Sequence, residues 1–291
     1  MHAAPPPVIT GIAPFVPNFD LILCDVWGVV HNGKAPYAEA VDALQRAREA
    51  GKTVVLISNA PRPGHVVEQQ IAAIGVPSDC YDTVVTSGDV TRNVLATQPG
   101  TRLYHLGPSR DYPNYDGLDL ELVEIEDAEL IVCTGLFDDT TETPDDYVEL
   151  LQYAQSRGLP MLCANPDIVV ERGDTHVWCA GALAEQYASI GGDVLYAGKP
   201  YDAIYDTALS LAERSRGVPI AAEQVLAIGD GVRTDLAGAV RQGFGSLFVI
   251  GGIHAADFDQ ASGDTPDLGR YARIFSEAGA WPSAIIWRLV W

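Results

Sequence analysis

Four short polar clusters each follow an apolar, strand-like run in this sequence. They are Asp25-Val26-Trp27-Gly28, Ser58-Asn59-Ala60-Pro61-Arg62, Gly198-Lys199-Pro200 and Gly229-Asp230-Gly231, the last with Asp235 close behind. Open α/β sheets place reactive groups at such points, where the carboxyl ends of strands meet a crevice. Together the clusters hold three carboxylates, a hydroxyl beside an amide, and one ammonium. Oxygen ligands of that kind suit a hard cation such as Mg²⁺. A lysine and short hydrogen-bond donors suit a phosphoryl group held beside that cation. A carboxylate can itself attack phosphorus and form an acyl phosphate. Asp25, ending the run Leu21-Ile22-Leu23-Cys24, is placed to be that nucleophile.

The elements that must position these groups follow a β-then-α rhythm. Strand-like runs are Leu21–Asp25, Thr53–Ser58, Thr83–Thr86, Leu103–Leu106, Leu130–Thr134, Met161–Ala164, Val194–Tyr196, Val225–Ile228 and Ser246–Ile250. Helix-like segments are Ala38–Ala50, Gly64–Ile74, Asp145–Ser156, Ala180–Ile190, Tyr201–Ser215 and Asp235–Gln242. Gly51, Gly75, Gly158, Gly191 and Gly243 stand where helix C-caps belong. Such alternation implies an α/β fold with a doubly wound, mostly parallel sheet covered on both faces. If the four strands before the clusters are parallel neighbours, the clusters converge on one sheet edge. The acidic, turn-rich stretch from Pro108 to Glu129 reads as a long surface connection.

Composition narrows the partners. A chain of 291 residues suggests one large domain or two medium ones, and an apolar share of 47% supports a real core. A net charge of −21 argues against non-specific binding to nucleic acid or an anionic membrane. An anionic substrate needs a local cation set against that field. The five cysteines, Cys24, Cys80, Cys133, Cys163 and Cys179, are odd in number, widely spaced and without a CxxC pair. They read as reduced core residues of a cytoplasmic protein. Cys163, His176 and Cys179 match no usual zinc spacing. Met1 to Pro7 shows neither the cationic region nor the apolar core of a signal peptide. No run reaches the roughly 18 apolar residues that span a bilayer. The apolar ending Ala280–Trp291 would form a large exposed patch unless covered. It packs either on the core or across a homodimer.

The order of the clusters resembles the haloacid dehalogenase superfamily of hydrolases. In that family a nucleophilic Asp opens the chain, a Ser or Thr ends the second strand, a Lys follows, and an acidic motif containing Gly-Asp closes. The long insert between Ser58 and Lys199 resembles the class IIA branch, whose α/β cap lies between the second and third motifs. Asn165-Pro166-Asp167 and Ala197-Gly198-Lys199-Pro200 are supporting local matches, and the likeness runs from Asp20 to about Gly252. It implies a Rossmann-like catalytic core over 1–88 and 189–291 with an inserted cap over 89–188.

The resemblance also implies roles. Asp25 would attack the substrate phosphorus and ligate Mg²⁺, and the backbone carbonyl of Trp27 would be a second ligand. Asp230 would be the acidic-motif ligand, with Asp235 as a further ligand or behind it. Ser58 and Asn59 would hold phosphoryl oxygens, and Lys199 would neutralise charge between Asp25 and the phosphate. Asp235 can also be read as the cap of a helix starting at Leu236, and Ser58 as a plain helix cap. Arg62 is an ordinary surface arginine or a substrate contact. Asn165, Asp167, Asp174 and His176 are polar loop residues of the cap that could reach a substrate.

Trp27 departs from the family pattern. Phosphatases of the family carry a second Asp there, which protonates the leaving alkoxide and then activates water. An indole has no titratable proton for either task. General acid–base help is worth about 10²–10⁴ in rate. A slow phosphatase favouring good leaving groups is one outcome. A substitute donor is another, with His31 in the same loop as candidate. A silent binder of a phosphorylated ligand is the third. Dehalogenases do without Mg²⁺, so Asp230 with Asp235 argues against their chemistry. A phosphonatase-like route needs a cap lysine, and no lysine lies between Lys52 and Lys199. The expectation is a Mg²⁺-dependent phosphate-monoester hydrolase acting on a small phosphorylated metabolite.

Overall fold

The computed structural model describes residues 6–172, 175–251 and 268–291. The chain divides into two compact units. One comprises Met1–Ser58, Glu68–Val84 and Tyr205–Trp291, the other Asn59–Val67 and Val85–Ile204. The first strands in chain order are β1 (Val8–Ile9), β2 (Leu21–Asp25), β3 (Thr53–Ser58), β4 (Thr83–Thr86), β5 (Thr101–Leu106), β6 (Leu120–Leu122) and β7 (Leu130–Cys133). Those after them are β8 (Met161–Cys163), β9 (Val169–Arg172), β10 (Thr175–Trp178), β11 (Val194–Tyr196), β12 (Val225–Gly229), β13 (Gly245–Val249) and β14 (Ala284–Ile286). The helices are α1 (Ala38–Glu49), α2 (Gly64–Ile74), α3 (Ser87–Ala96), α4 (Val148–Ser156), α5 (Ala180–Ser189), α6 (Asp202–Arg216), α7 (Ala237–Gln242) and α8 (Leu268–Ala278).

The first unit is built on a seven-stranded sheet of order β1-β14-β13-β12-β2-β3-β4. β2 lies between β12 and β3, parallel to both. Its residues Leu21, Ile22, Leu23 and Cys24 are wholly buried. An unbroken apolar run is what a central parallel strand needs, because both its faces are covered. α1 packs against β3. It buries Ala40, Ala43, Leu44 and Ala47, one stripe at helical spacing. It ends before Gly51, whose φ of +80° supplies the left-handed turn.

The second unit holds a five-stranded parallel sheet of order β11-β8-β7-β5-β6 and the antiparallel pair β9–β10. Its core gathers Leu106, Ile131 and Met161 from the strands with Leu151, Leu183 and Tyr187 from α4 and α5. All five cysteines are buried, and none is in a disulfide. Among the described residues, no helix is long and apolar enough to cross a membrane.

Several elements differ from the sequence reading. β11 pairs with β8, not with a strand of the seven-stranded sheet, so the four clusters do not share one sheet edge. The second unit accordingly runs on to Ile204. The stretch from Pro108 to Glu129 is more than a surface connection. It holds 3-10 turns at Ser109–Tyr115 and Ile125–Asp127, and β6 pairs with β5. Asp111, Asn114 and Tyr115 of its first turn are buried. α3 is absent from the sequence reading. Its start is a capping box: the Asp89 N–H donates to Thr86 Oγ1, and the Thr86 N–H donates to Asp89 Oδ2, both at 3.0 Å. The C-terminal stretch adds β14, buried between β13 and β1.

Candidate active site

In the first unit, β2 and β12 run side by side with Ile228 opposite Cys24. Asp25 is the next residue on one strand, and Asp230 lies two residues on along the other. Just past Asp230, the chain makes a single π-turn, Val232–Leu236, closed by the Leu236 N–H donating to the Gly231 carbonyl at 3.0 Å. The wider turn carries Asp235, whose Oδ2 accepts the Gly231 N–H at 3.0 Å. Such turns are frequent at functional sites. Asp235 therefore lies in that turn, one residue before the Leu236 N-cap of α7, and does not cap the helix.

The outcome is a cluster of three buried carboxylates. Asp25, Asp230 and Asp235 each offer an oxygen, and these oxygens lie within 4.8 Å of one another. Glycines make the approach possible. A Cβ at Gly28 would stand 2.0 Å from Asp230 Oδ2, and a Cβ at Gly229 would stand 2.2 Å from Asp235 Cγ. Gly28 also has φ +79°, which side-chain-bearing residues rarely adopt. Three like charges this close repel unless a cation sits among them. An all-oxygen, anionic, buried donor set fits a hard divalent cation such as Mg²⁺. Ser58, at the end of β3, is also buried.

The loop after Asp25 is built around Trp27. A Cβ at Gly33 would lie 2.7 Å from the indole Cζ2, and the His31 ring stands 5.5 Å from that of Trp27. The Gly28 N–H donates to the His31 carbonyl at 2.9 Å. The Gly33 N–H donates to His31 Nδ1 at 2.8 Å, so Nδ1 carries no proton. Burial pulls the imidazole pKa down to about 4. His31 is thus neutral at pH 7 in the ligand-free protein, which argues against it as a replacement for the missing acid.

That burial has a consequence for stability. The unfolded chain takes up the His31 proton near pH 6.5, whereas the folded chain resists to about pH 4. Between those values falling pH favours the unfolded state. The shift corresponds to a stability loss of up to about 3 kcal/mol, complete below the lower value and absent above the upper one. His31→Asn keeps an acceptor for the Gly33 N–H and removes the titration. Urea unfolding at pH 7 and pH 4.5 should show a smaller pH effect in the variant. Equal pH effects would contradict a neutral buried imidazole.

In the second unit, Asn59 is the centre of a hydrogen-bond network. Its Nδ2 donates to Asp167 Oδ1 at 2.9 Å and to the Lys199 carbonyl at 3.2 Å. Its Oδ1 accepts from the Lys199 N–H at 2.7 Å and from Ser87 Oγ at 3.3 Å. Asn165 shapes the neighbouring turn, its Oδ1 accepting the Asp167 N–H at 3.1 Å. Lys199 is buried. Arg62 pairs with the buried Asp111, Nε to Oδ1 3.6 Å. Asp174 and the side chain of His176 lie outside the described residues. Sequence reasoning misses Ser87 because it misses α3, although Thr86-Ser87-Gly88-Asp89 carries the capping-box spacing that marks a helix start.

Comparison with known proteins agrees with this architecture. The family model described as haloacid dehalogenase-like hydrolase matches residues 22–121, and one described as HAD-hydrolase-like matches residues 196–272. A crystal structure of a haloacid dehalogenase-like family hydrolase from Brucella suis 1330 is 48% identical, covers 97% of this chain and 100% of that one, and has a TM-score of 0.86. This chain therefore belongs to the haloacid dehalogenase-like hydrolases. It is similar to the ribonucleotide monophosphatase NagD of Escherichia coli strain K12, 24% identical over 239 residues that cover 81% of this chain and 89% of that one. It is also similar to the D-glycerol 3-phosphate phosphatase of Mycobacterium tuberculosis, 30% identical over 242 residues that cover 81% of this chain and 64% of that one.

Proposed function

We propose that this chain is a phosphate-monoester hydrolase of the cytoplasm, acting on a small phosphorylated metabolite through an aspartyl-phosphate at Asp25. The observation that carries the reading is the buried cluster of Asp25, Asp230 and Asp235. The phosphatase activities of NagD and of the glycerol phosphate enzyme support it. Asp25, Asp230, Asp235 and the Trp27 carbonyl would hold Mg²⁺. When bound, that ion offsets the charge of the carboxylates and of the phosphoryl oxygens. An Asp25 oxygen forms the bond to phosphorus as the ester oxygen leaves with the bonding pair. Water then attacks the acyl phosphate and returns the free carboxylate. Ser58 binds a phosphoryl oxygen, and Lys199 supplies the balancing positive charge. The second unit, built on the inserted stretch 89–188, selects the substrate.

Trp27 makes the reaction slow wherever the leaving oxygen must be protonated. Neither the indole nor the neutral His31 delivers a proton at pH 7. Aryl phosphates leave without that help and alkyl phosphates do not. Wild type should therefore release phosphate from p-nitrophenyl phosphate in the presence of Mg²⁺, lose that activity with EDTA, and act weakly on sugar phosphates. Trp27→Asp should raise turnover of sugar phosphates by about tenfold or more, a fraction of what a positioned acid is worth. It should change p-nitrophenyl phosphate turnover far less. Trp27 and His31 also favour a second reading, a silent binder of a phosphorylated ligand. Phosphate binding with no release from any ester would select it.

A further inference from the structure

Resting on the phosphatase reading, we propose that the Asn59 side chain, with Asp167 behind it, positions Lys199 by gripping its backbone, and does not itself touch the phosphoryl group. A primary amide offers two donor hydrogens and one oxygen with two lone pairs. In Asn59 both hydrogens and both lone pairs are taken, by Asp167, Ser87 and the two backbone groups of Lys199. The side chain has no hydrogen left for a phosphoryl oxygen. The grip on Lys199 has two points, N–H and C=O, so one side chain fixes the peptide plane on either side of its Cα.

Two glycines show how tightly this network is seated. A Cβ at Gly198 would lie 2.1 Å from Ser87 Oγ, 2.4 Å from Asn59 Oδ1 and 2.7 Å from Pro166 Cδ. A Cβ at Gly181 would lie 2.3 Å from the Pro166 carbonyl oxygen and 2.4 Å from that of Asp167. The Gly181 N–H donates to the Asp167 carbonyl at 3.1 Å, so the first turn of α5 holds Asp167 in place. The support runs from α5 to Asp167, from Asp167 to Asn59, and from Asn59 to Lys199. Asn59 and Lys199 are each only 3% exposed, which keeps water from competing for these bonds. A lysine ammonium rides on a flexible four-carbon stem. Fixing the base of that stem removes one source of misplacement.

The test is a swapped pair. Asn59→Asp keeps an acceptor but cannot donate, and it sets one carboxylate against another. It should lower kcat on p-nitrophenyl phosphate about 100-fold while KM changes little. Asp167→Asn leaves Asn59 an acceptor and should cost less than about tenfold. In the double variant the amide introduced at position 167 can donate to the carboxylate introduced at position 59. There kcat should recover at least about tenfold over the single Asn59→Asp variant. Asn59→Ser, which can make only part of the set, should rank below Asp167→Asn and serves if Asn59→Asp fails to fold. A direct contact with the phosphoryl group predicts otherwise: inhibition by inorganic phosphate weakens with Asn59→Asp, and the double variant stays as poor as the single. That result overturns the proposal.

Backbone hydrogen exchange at Lys199 separates this idea from the phosphatase reading. If wild type releases no more phosphate than Asp25→Asn, the phosphatase reading fails. The grip still predicts faster exchange at the Lys199 amide in Asn59→Ala, which removes the oxygen that accepts that N–H. Unchanged exchange overturns it whatever the activity.

Discussion

Asp25→Asn is expected to cut phosphate release by at least about 10⁴-fold, the scale seen when a nucleophile is removed from an otherwise intact site. The amide has nearly the shape of the carboxylate but no anionic oxygen to attack phosphorus. The same change should leave the fold intact or strengthen it. Asp25 shares its buried site with Asp230 and Asp235, the three offering oxygens within 4.8 Å of one another. Removing one of three close negative charges relieves repulsion in the metal-free protein. A thermal melt without Mg²⁺ and an assay with it therefore move in opposite directions. Activity within tenfold of wild type would remove Asp25 from the role of nucleophile. A large drop in melting temperature would mean that the carboxylate is structural.

The second large effect is expected at a residue with no functional group. Gly28→Ala adds a methyl group at φ +79°, and its Cβ would lie 2.0 Å from Asp230 Oδ2. The backbone cost alone is about 1 kcal/mol. The contact adds more, because either the loop or the Asp230 carboxylate must move. Displacing a positioned group by about 1 Å can cost about 10²-fold in rate. We expect kcat/KM to fall about 10²–10³-fold, with the Mg²⁺ concentration for half-maximal activity rising. Gly51→Ala separates the two costs. Gly51 has φ +80° with nothing within 4 Å of the added atom. It should lose stability and keep its Mg²⁺ dependence. Equal catalytic losses in the two variants would show that backbone strain, not Asp230, accounts for the effect.

Much of the first unit could be read from sequence because its signals are local. Leu21–Cys24 is an apolar run long enough for a central strand, and Asp25 follows at the carboxyl end where open sheets expose chemistry. α1 shows its buried stripe and its terminal glycine in the sequence itself. The exact placing of Asp235 was less accessible, since a π-turn has no strong sequence signature and Val232–Leu236 reads equally well as the start of a helix.

What sequence could not supply was partner choice over long separations. β11 is three residues, Val194–Tyr196, and nothing in them says which of two sheets they join. Asn59 looks like half of a phosphate-binding pair when read beside Ser58. Its partner lies 140 residues away, at Lys199, and only the fold reveals that the amide is already committed. Gly28 reads as a turn glycine. Its necessity comes from Asp230, on another strand's loop.

On the reading proposed above, the carboxylates of Asp25, Asp230 and Asp235 together hold one divalent ion. Crystals grown with Mn²⁺ and measured at a wavelength where manganese scatters anomalously test it most directly. We predict a single anomalous peak within bonding distance of an Asp25 oxygen and an Asp230 oxygen. Refined maps with the three side chains in place and no peak among them, at saturating Mn²⁺, would contradict the claim.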